Sequence, residues 1–417
     1  MLHVQGFRGL RFNPEKTGSP DRVLTPPYDV ISPQQWERLA AEGPYNMVHL
    51  MLPTARGGRD KYQAASDSLE AWLAEGALFQ DANPSFYLLR QRFEDVEGAT
   101  HTRRGFFAAV RLPEEGERLI LGHERTFPKP VEDRLRLMEA TRADLEPVFG
   151  LYKDPNHALA PMLNQMDKRP ADIAATTMDG ARAELWRVDA PDSVTEFFRG
   201  QTLYIADGHH RFRTACLYRD AMREKHPEAG PQAHDYVMMG LVALDDPGLK
   251  IYPTHRLLPT PEGFDAKAFL RTLKKWFDIE KEENDLAVTV RRKRARCALG
   301  VAIHGQGDFV LSLKDVDRID LLGDDHGPAW RDLDVAVLHR GILEQVLGLP
   351  EGAVFGYEHD ARRALEAAHA GETGLAFILR STRADQICAC ADTNEPMPQK
   401  STYFFPKLPS GGVLYHF

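Results

Sequence analysis

Residues 202–219 read TLYIADGHHRFRTACLYR. An apolar run, Leu203-Tyr-Ile-Ala206, meets Asp207 and Gly208 and gives way to His209-His-Arg-Phe-Arg-Thr-Ala-Cys-Leu-Tyr-Arg219, whose composition suits a helix. The spacing predicts a buried strand, a tight turn at Gly208 and a helix starting near His209. Strand, turn and helix in that order leave the first N–H groups of the helix, and the positive end of its dipole, facing the turn. That is a place where a phosphate binds, with Arg211, His209 or His210 adding charge. The competing reading is structural: Asp207 caps the helix and the histidines make internal hydrogen bonds.

Working outward, strand-like and helix-like stretches alternate, which predicts an α/β fold with mixed sheets and packed helices. At 417 residues the chain is too long for one ordinary core. A lobe spanning 1–230 and a second α/β lobe spanning 231–417 are expected, with the C-terminal loop free to return to the first. Ser32, Pro33 and Gly43 mark a helix at its cap, first turn and end. Asp60 to Gly76 predicts another, with Tyr62, Ala65, Leu69 and Trp72 on its apolar side. YNMVHLML (45–52), SFYLLRQRFE (85–94) and ELWRV (184–188) have strand character. RRGFFAAVRL (103–112) and LILG (119–122) predict a hairpin, as do CALGVAIHG and DFVLSLKD further on. Glu132 to Leu145 is helix-like, whereas Pro128 and Pro130 are expected to keep Thr126 to Pro130 non-helical. The alternation in QICACAD (386–392) predicts a strand that buries Cys388 and Cys390.

Two further stretches carry chemistry. In GHERTFPKPVEDRL (122–135), His123 or Glu124 is a candidate general base toward a hydroxyl. Lys129 or Arg134 would neutralise developing phosphoryl charge, and Asp133 would hold a metal or cap the next helix. In PQKSTYFFPKLPSGG (398–412), Lys400, Lys407, Ser410 and the backbone at Gly411 would cradle a phosphate or carboxylate. Asp29 in PPYDVIS, and Asn46 and His49, are polar groups beside apolar residues, for which strand-end capping is the plain explanation.

The same inspection removes several classes. There is no Walker A spacing, no Gly-x-Gly-x-x-Gly after an early strand, no Gly-x-Ser-x-Gly elbow and no His-Glu-x-x-His helix. A formal net charge of -9 argues against a nonspecific nucleic-acid binder. Arg291 to Arg296 is the densest cationic run, and a solvated surface is its ordinary role. No segment has the apolar length of a membrane span. The N-terminus lacks the apolar core of a signal peptide and the 4 cysteines are few for the length, so a cytoplasmic location is expected.

PPYDVIS, YNMVHLMLP, HERTFPKPVEDRLRLMEATRADLEPVFGLY, YIADGHHRFRTA, YPTHRLL and QKSTYFFPKLPSGGV together resemble the bacterial and archaeal family known as domain of unknown function 1015, over nearly the whole chain. DGHHR is also similar to the phosphate-binding box of the ParB/sulfiredoxin superfamily, which includes free-serine kinases. That likeness implies a ParB/sulfiredoxin-like element in which Gly208, His209, His210 and Arg211 contact phosphate, while Asp207 orients the loop or serves a metal. It also implies an early acidic base. Asp29 is the nearest candidate by order along the chain, and Glu124 competes with it. The activity implied is phosphotransfer between ATP or ADP, with Mg2+, and a small hydroxyl metabolite such as free serine or phosphoserine. A non-catalytic nucleotide or metabolite sensor is the alternative, and a ParB-like DNA-binding protein is a weaker third. The expected partners are therefore a small-molecule substrate and a nucleotide, without nucleic acid or membrane.

Overall fold

In the computed structural model, which describes residues 1–227, 230–351, 353 and 356–417, the run Leu203–Asp207 is a strand of a mixed sheet. The chain divides into two units. One comprises Met1–Gly122, Thr126–Lys250 and Pro406–Phe417; the other comprises His123–Arg125 and Ile251–Phe405. The first unit thus extends past residue 230 and takes in the C-terminal segment as well.

Among the described residues, nine strands build the first unit's main sheet. They are β1 (Val4–Gln5), β2 (Ser85–Glu94), β3 (Thr100–Arg111), β4 (Ile120–Leu121), β5 (Val148–Tyr152), β6 (Ile173–Thr176), β7 (Arg182–Asp189), β8 (Leu203–Asp207) and β9 (Tyr236–Ala243). Their order is β4-β8-β5-β9-β3-β2-β7-β6, with β1 added alongside β3. β5 lies parallel to β9 and antiparallel to β8, and β3 is antiparallel to both β2 and β9. β5 is buried along its whole length and β2 nearly so, because both sheet faces are covered. Phe86, Leu88, Phe106, Trp186 and Met239 share one core. Leu10, Met47, Leu69, Trp72, Leu137 and Leu414 share another.

The helix signals act as their chemistry requires. Ser32 opens α1 (Pro33–Glu42) with a capping box, its hydroxyl accepting from Gln35 N at 3.2 Å while Gln35 Oε1 accepts from Ser32 N at 2.8 Å. Asp60 caps the helix Lys61–Ala74 through the amides of Tyr62 and Gln63, and Ala65, Leu69 and Trp72 are buried.

Several expectations are corrected. Residues 48–51 of YNMVHLML are a short helix, not a strand, because the buried Asn46 side chain accepts from Val48 N at 3.0 Å and donates to Arg22 O at 2.8 Å. The hairpin between 103–112 and 119–122 does not form. Both edges of β3 are taken by β2 with β1 and by β9, so β4 pairs in parallel with β8 instead. Pro128 and Pro130 do not exclude helix; they sit in the first turn of Pro128–Thr141, where no intrahelical N–H is needed. That helix ends at Arg142, φ 50°, before Leu145 is reached, and Ala143–Asp144 pairs with Tyr415–His416. QICACAD lies in the helix Ala384–Asp392, with Cys388 and Cys390 buried.

The second unit has a six-stranded sheet that includes His255–Leu258, Ala298–Ile303, Gly307–Leu313 and Leu375–Ile378. The hairpin expected from CALGVAIHG and DFVLSLKD is present, with Ala298 opposite Ser312 and Ile303 opposite Gly307. Alternation sends Leu299, Val301 and Ile303 to one core and Ala302 to another. Arg291, Arg292, Arg294 and Arg296 are exposed. No helix among the described residues is long and apolar enough to cross a membrane.

Close packing of the first sheet makes a testable contrast. A Cβ on Gly105 would lie 2.5 Å from Leu241 O, a backbone atom held in the ladder, whereas a Cβ on Gly150 would first meet Met239 Cε, the end of a flexible side chain, at 2.6 Å. Gly105→Ala is expected to lower the unfolding free energy by about 1–3 kcal/mol, and by more than Gly150→Ala does. Urea titration of both variants decides this; equal midpoints would contradict the close approach of β3 to β9.

Candidate functional site

β8 ends at Asp207, and the next residue, Gly208, has φ 88° and ψ 28°, the left-handed region that only glycine enters freely. The 17-residue helix His209–Lys225, here α2, begins immediately after it. A side chain at Gly208 would also meet the Arg211 guanidinium at 3.0 Å, because Arg211 folds back over the turn. The glycine is therefore required twice, for its dihedral and for its missing Cβ.

Asp207 is held from several directions. Its Oδ1 accepts from Gly208 N at 2.7 Å, its Oδ2 accepts from Lys407 Nζ at 3.0 Å, and Arg211 Nη2 lies 3.8 Å from Oδ1. Burial by itself would raise the Asp207 carboxyl, but the Lys407 ammonium and the Arg211 guanidinium outweigh it and hold the group well below the carboxylate range. Arg211 is itself buried and donates to Pro147 O. His209 is buried beside Gly122, where an added Cβ would sit 2.9 Å from the ring. His210 accepts from Phe127 N at 3.0 Å through Nε2, so its proton sits on Nδ1 in the neutral ring, and it stacks on Phe127, whose ring is 46% exposed.

A second tier of charge lies beside this turn. Glu146 is buried, accepts from Tyr28 N at 2.8 Å and lies 3.9 Å from Arg134 Nη1. Burial pushes its carboxyl up, opposed by Arg211 and Arg134. Arg134 lies 4.4 Å over the Tyr28 ring, donates to Met51 O at 2.5 Å and pairs with Asp133 at 2.6 Å. Asp133 also accepts from Lys61 Nζ at 2.6 Å and Tyr62 OH at 2.9 Å. Against burial, those donors bring its carboxyl down to about 2. Burial lifts Asp144 to about 7, although Met238 N donates to it at 2.8 Å. Arg134, Asp144, Glu146, Arg211 and Thr214 line a cavity of about 30 Å³, room for about one water. Asp29 is exposed, and its charge acts on Tyr28, Glu146 and Arg211.

The first unit thus brings together Asp29, Arg134, Asp207, Gly208, Arg211 and Lys407. Ser410 reaches the same cluster through its hydroxyl, which donates to Glu146 Oε1 at 3.5 Å, while Gly411 is built into packing. The Ser410 amide donates to Thr25 O at 2.8 Å, and a Cβ at Gly411 would lie 2.5 Å from Met47 Cγ. Lys129 is exposed in the first turn of Pro128–Thr141. His123, Glu124 and Lys400 belong to the second unit. There His123 Nε2 meets Thr402 Oγ1 at 3.1 Å, Glu124 acts electrostatically on the buried Arg256, and Lys400 is exposed while its carbonyl accepts from Arg256 at 3.1 Å. Among the described residues no group of three or more His, Cys, Asp or Glu is arranged to hold a metal ion. Reasoning from sequence missed Asp144, Glu146 and Tyr28. The available signal was two carboxylates two residues apart in RADLEPVFG, which share one side of an extended segment.

Fold and site define a mixed α/β protein whose polar centre lies where a buried strand passes through a left-handed glycine into a long helix. The chain belongs to the family described as "Protein of unknown function (DUF1015)", which matches residues 4–336. No curated protein matches the sequence. Among solved structures it is similar to a conserved hypothetical protein from Pyrococcus furiosus at 13% identity, covering 70% of this chain and 90% of that one with a TM-score of 0.35. It is similar to a free serine kinase in complex with AMP at 15% identity, covering 72% and 86% with a TM-score of 0.35. SbnI with a C-terminal truncation, from Staphylococcus aureus, matches at 12% identity, covering 72% and 84% with a TM-score of 0.35.

Two pH-dependent outcomes follow from the charges. Asp207 is depressed, so its stabilisation is present above the ordinary carboxylate value of 3.8 and fades as pH falls below it. Lys407→Met, which leaves the carboxylate to Arg211 and the Gly208 amide, is expected to cost about 1–3 kcal/mol at pH 7, with the deficit shrinking below about pH 4. Asp144 is raised, so its stabilisation is complete below 3.8 and is lost as pH climbs to about 7. In Asp144→Asn that decline should be absent; denaturant unfolding from about pH 4 to pH 8 reads the Asp144 effect, and extending the series down to about pH 2 reads the Asp207 effect.

Proposed function

We propose that the first unit binds a nucleotide through its phosphates at the start of α2 and moves a phosphoryl group between it and a small hydroxyl metabolite, with free serine or phosphoserine the favoured acceptor class. The observation that carries this reading is the Gly208 turn, which opens a 17-residue helix with Arg211 and Lys407 gathered on Asp207 at that end. The choice of serine follows the likeness of Asp207-Gly-His-His-Arg211 to a phosphate-binding box. Phe127, exposed and stacked with His210, offers an aromatic surface for a nucleobase.

In the proposed reaction Asp29 takes the proton from the acceptor hydroxyl. The hydroxyl oxygen attacks the terminal phosphorus of ATP, the bond from that phosphorus to the bridging oxygen breaks, and ADP leaves with the electron pair. Phosphoserine and ADP would run the same step backwards. Lys129, exposed on the first turn of its helix, neutralises the transferring group, and Arg134 holds the wall that carries Tyr28 and Glu146. Asp133 and Asp207 have their carboxylates engaged by Lys61, Arg134 and Lys407. A magnesium ion would therefore arrive on the nucleotide, where it shields phosphate charge.

A second reading, a nucleotide-responsive switch without turnover, is favoured by the same Asp207–Lys407 pair, because an incoming phosphate competes with Asp207 for that ammonium.

Transfer assays with Mg2+, offering ATP with hydroxyl amino acids and ADP with phosphoserine, separate these readings. Asp29→Asn is expected to lower turnover by about 10²–10⁴-fold while nucleotide still binds, and Glu124→Gln to leave it unchanged. The opposite pattern would move the base to Glu124. Binding without turnover in the parent protein would favour the switch, and no binding at all would reduce the turn to a capped helix.

A further inference from the structure

A cavity of about 410 Å³ lies within the first unit, away from the Gly208 turn. Its size is that of a small-ligand site. The pairing register sets its place. β8 and β5 are antiparallel, with Asp207 opposite Phe149 and Tyr204 opposite Leu151, so Tyr152, which lines the cavity, is three residues or roughly 10 Å along β5 from the partner of Asp207. β5 and β9 run parallel, and the segments leaving their carboxyl ends supply Asp154 and the pair Asp245 and Asp246. The ends of β2 and β3 supply Arg92 and Arg104. Asp154, Asp245 and Asp246 thus gather on one side of the cavity, and Arg90, Arg92 and Arg104 on the other, where Asp167 lies among them and pairs with Arg90 at 2.8 Å.

The second observation is Tyr152 itself. It is 0% exposed, and its hydroxyl has no hydrogen-bond partner among the described residues. The charges that act on it are those of Asp154, Asp246 and Asp245, which line the same cavity. A buried hydroxyl without a partner costs about 1–3 kcal/mol, so a group that occupies the cavity and bonds to it is favoured. The charged walls are only partly committed: Arg92 is 48% exposed and pairs through Nη1 with Glu184 at 3.2 Å, leaving other guanidinium N–H groups over. Asp245 is 43% exposed and, among the described residues, its ion-pair partner is His157, at 3.9 Å. Arg104 is 37% exposed and makes side-chain contacts with Asn164 at 3.3 Å and Asp167 at 3.6 Å, leaving guanidinium N–H groups over. Asp154 is committed to the amides of Ala158 and Leu159, and Asp246 to those of Arg104 and Gly248.

A purely anionic ligand would meet the aspartates, and a purely cationic one the arginines. We propose that this cavity binds a zwitterion, a free α-amino acid whose ammonium faces Asp245 and the Tyr152 hydroxyl and whose carboxylate faces Arg104 and Arg92. The site is separate from the turn at Gly208 and stands whether or not phosphoryl transfer occurs there.

Calorimetric titration of the full chain with each of the common amino acids tests this, followed for the tightest by its des-amino and decarboxylated analogues. An amino acid should bind, both analogues should bind at least ~10-fold more weakly, and Tyr152→Phe and Asp245→Asn should each weaken binding at least ~5-fold. Asp245 is partly exposed and Tyr152→Phe removes one atom, so thermal midpoints near that of the parent protein are expected to accompany those losses. Absence of binding by every amino acid at roughly 10 mM, a concentration that reveals even millimolar affinity, would overturn the proposal. So would equal binding of a singly charged analogue, or unchanged affinity in both variants.

Discussion

The contact on which most of the first unit's polar architecture depends is the ion pair between Asp207 and Lys407. It joins residues 200 apart in sequence and ties the C-terminal segment to the strand-to-helix turn. Backbone contacts hold that segment in place around it: Gln91 Nε2 donates to Lys407 O at 2.9 Å, Arg103 Nη2 donates to Pro406 O at 2.5 Å, and Ser410 bridges to Thr25. Arg103 is 1% exposed, and burial lowers it to about 10, so even here the cation stays charged at neutral pH. Because the pair is largely shielded from water, neither partner is dispensable. Without Lys407 the Asp207 carboxylate would be left to Arg211 and the Gly208 amide, with less of its desolvation cost compensated.

Around this pair the charges are graded by depth. Arg211, Glu146 and Asp144 are buried, Arg134 is buried but linked outward through Asp133 to Lys61, and Asp29 is exposed. Buried ion pairs contribute little stability beyond what apolar side chains of the same volume would give. A chain selected for stability alone had cheaper ways to fill the space between Leu137, Leu145 and Thr214. The arrangement makes more sense as a fixed field, with the exposed Asp29 acting on it, that is set before a charged ligand arrives.

Local chemistry made part of this visible in the sequence. Ser32, Pro33 and Gly43 delimited a helix because capping depends on neighbours in the chain, and Asp207-Gly208-His209 marked strand, turn and helix for the same reason. What could not be read were outcomes of competition between distant segments. LILG failed to pair with its neighbour because β2, β1 and β9 already occupied the edges of β3. YNMVHLML became a helical turn because Asn46 found Arg22 O and Val48 N. Glu146 and Asp144 escaped notice because nothing adjacent to them shows that Tyr28, Met238 and two arginines would converge there. Lys407 was legible as a cation, but its partner lay 200 residues away.

The mixed sheet explains why one unit has two polar ends. In an all-parallel sheet every carboxyl end faces the same way, and ligands gather in one crevice. Here β5 and β9 are parallel and open their carboxyl ends toward Asp154, Asp245 and Asp246, while β8, antiparallel to β5, delivers Asp207 and the start of α2 to the other end. Phe86, Phe106, Trp186 and Met239 belong to the apolar core of the sheet that carries both ends. Displacement of β5 or β8 as rigid elements is one way the two ends could be coupled. Close packing resists that: a Cβ at Gly150, midway along β5, would already meet Met239 and Leu241 of β9 within 3 Å. The topology therefore places the Gly208 turn and the Tyr152 cavity toward opposite ends of β5 within one folded unit.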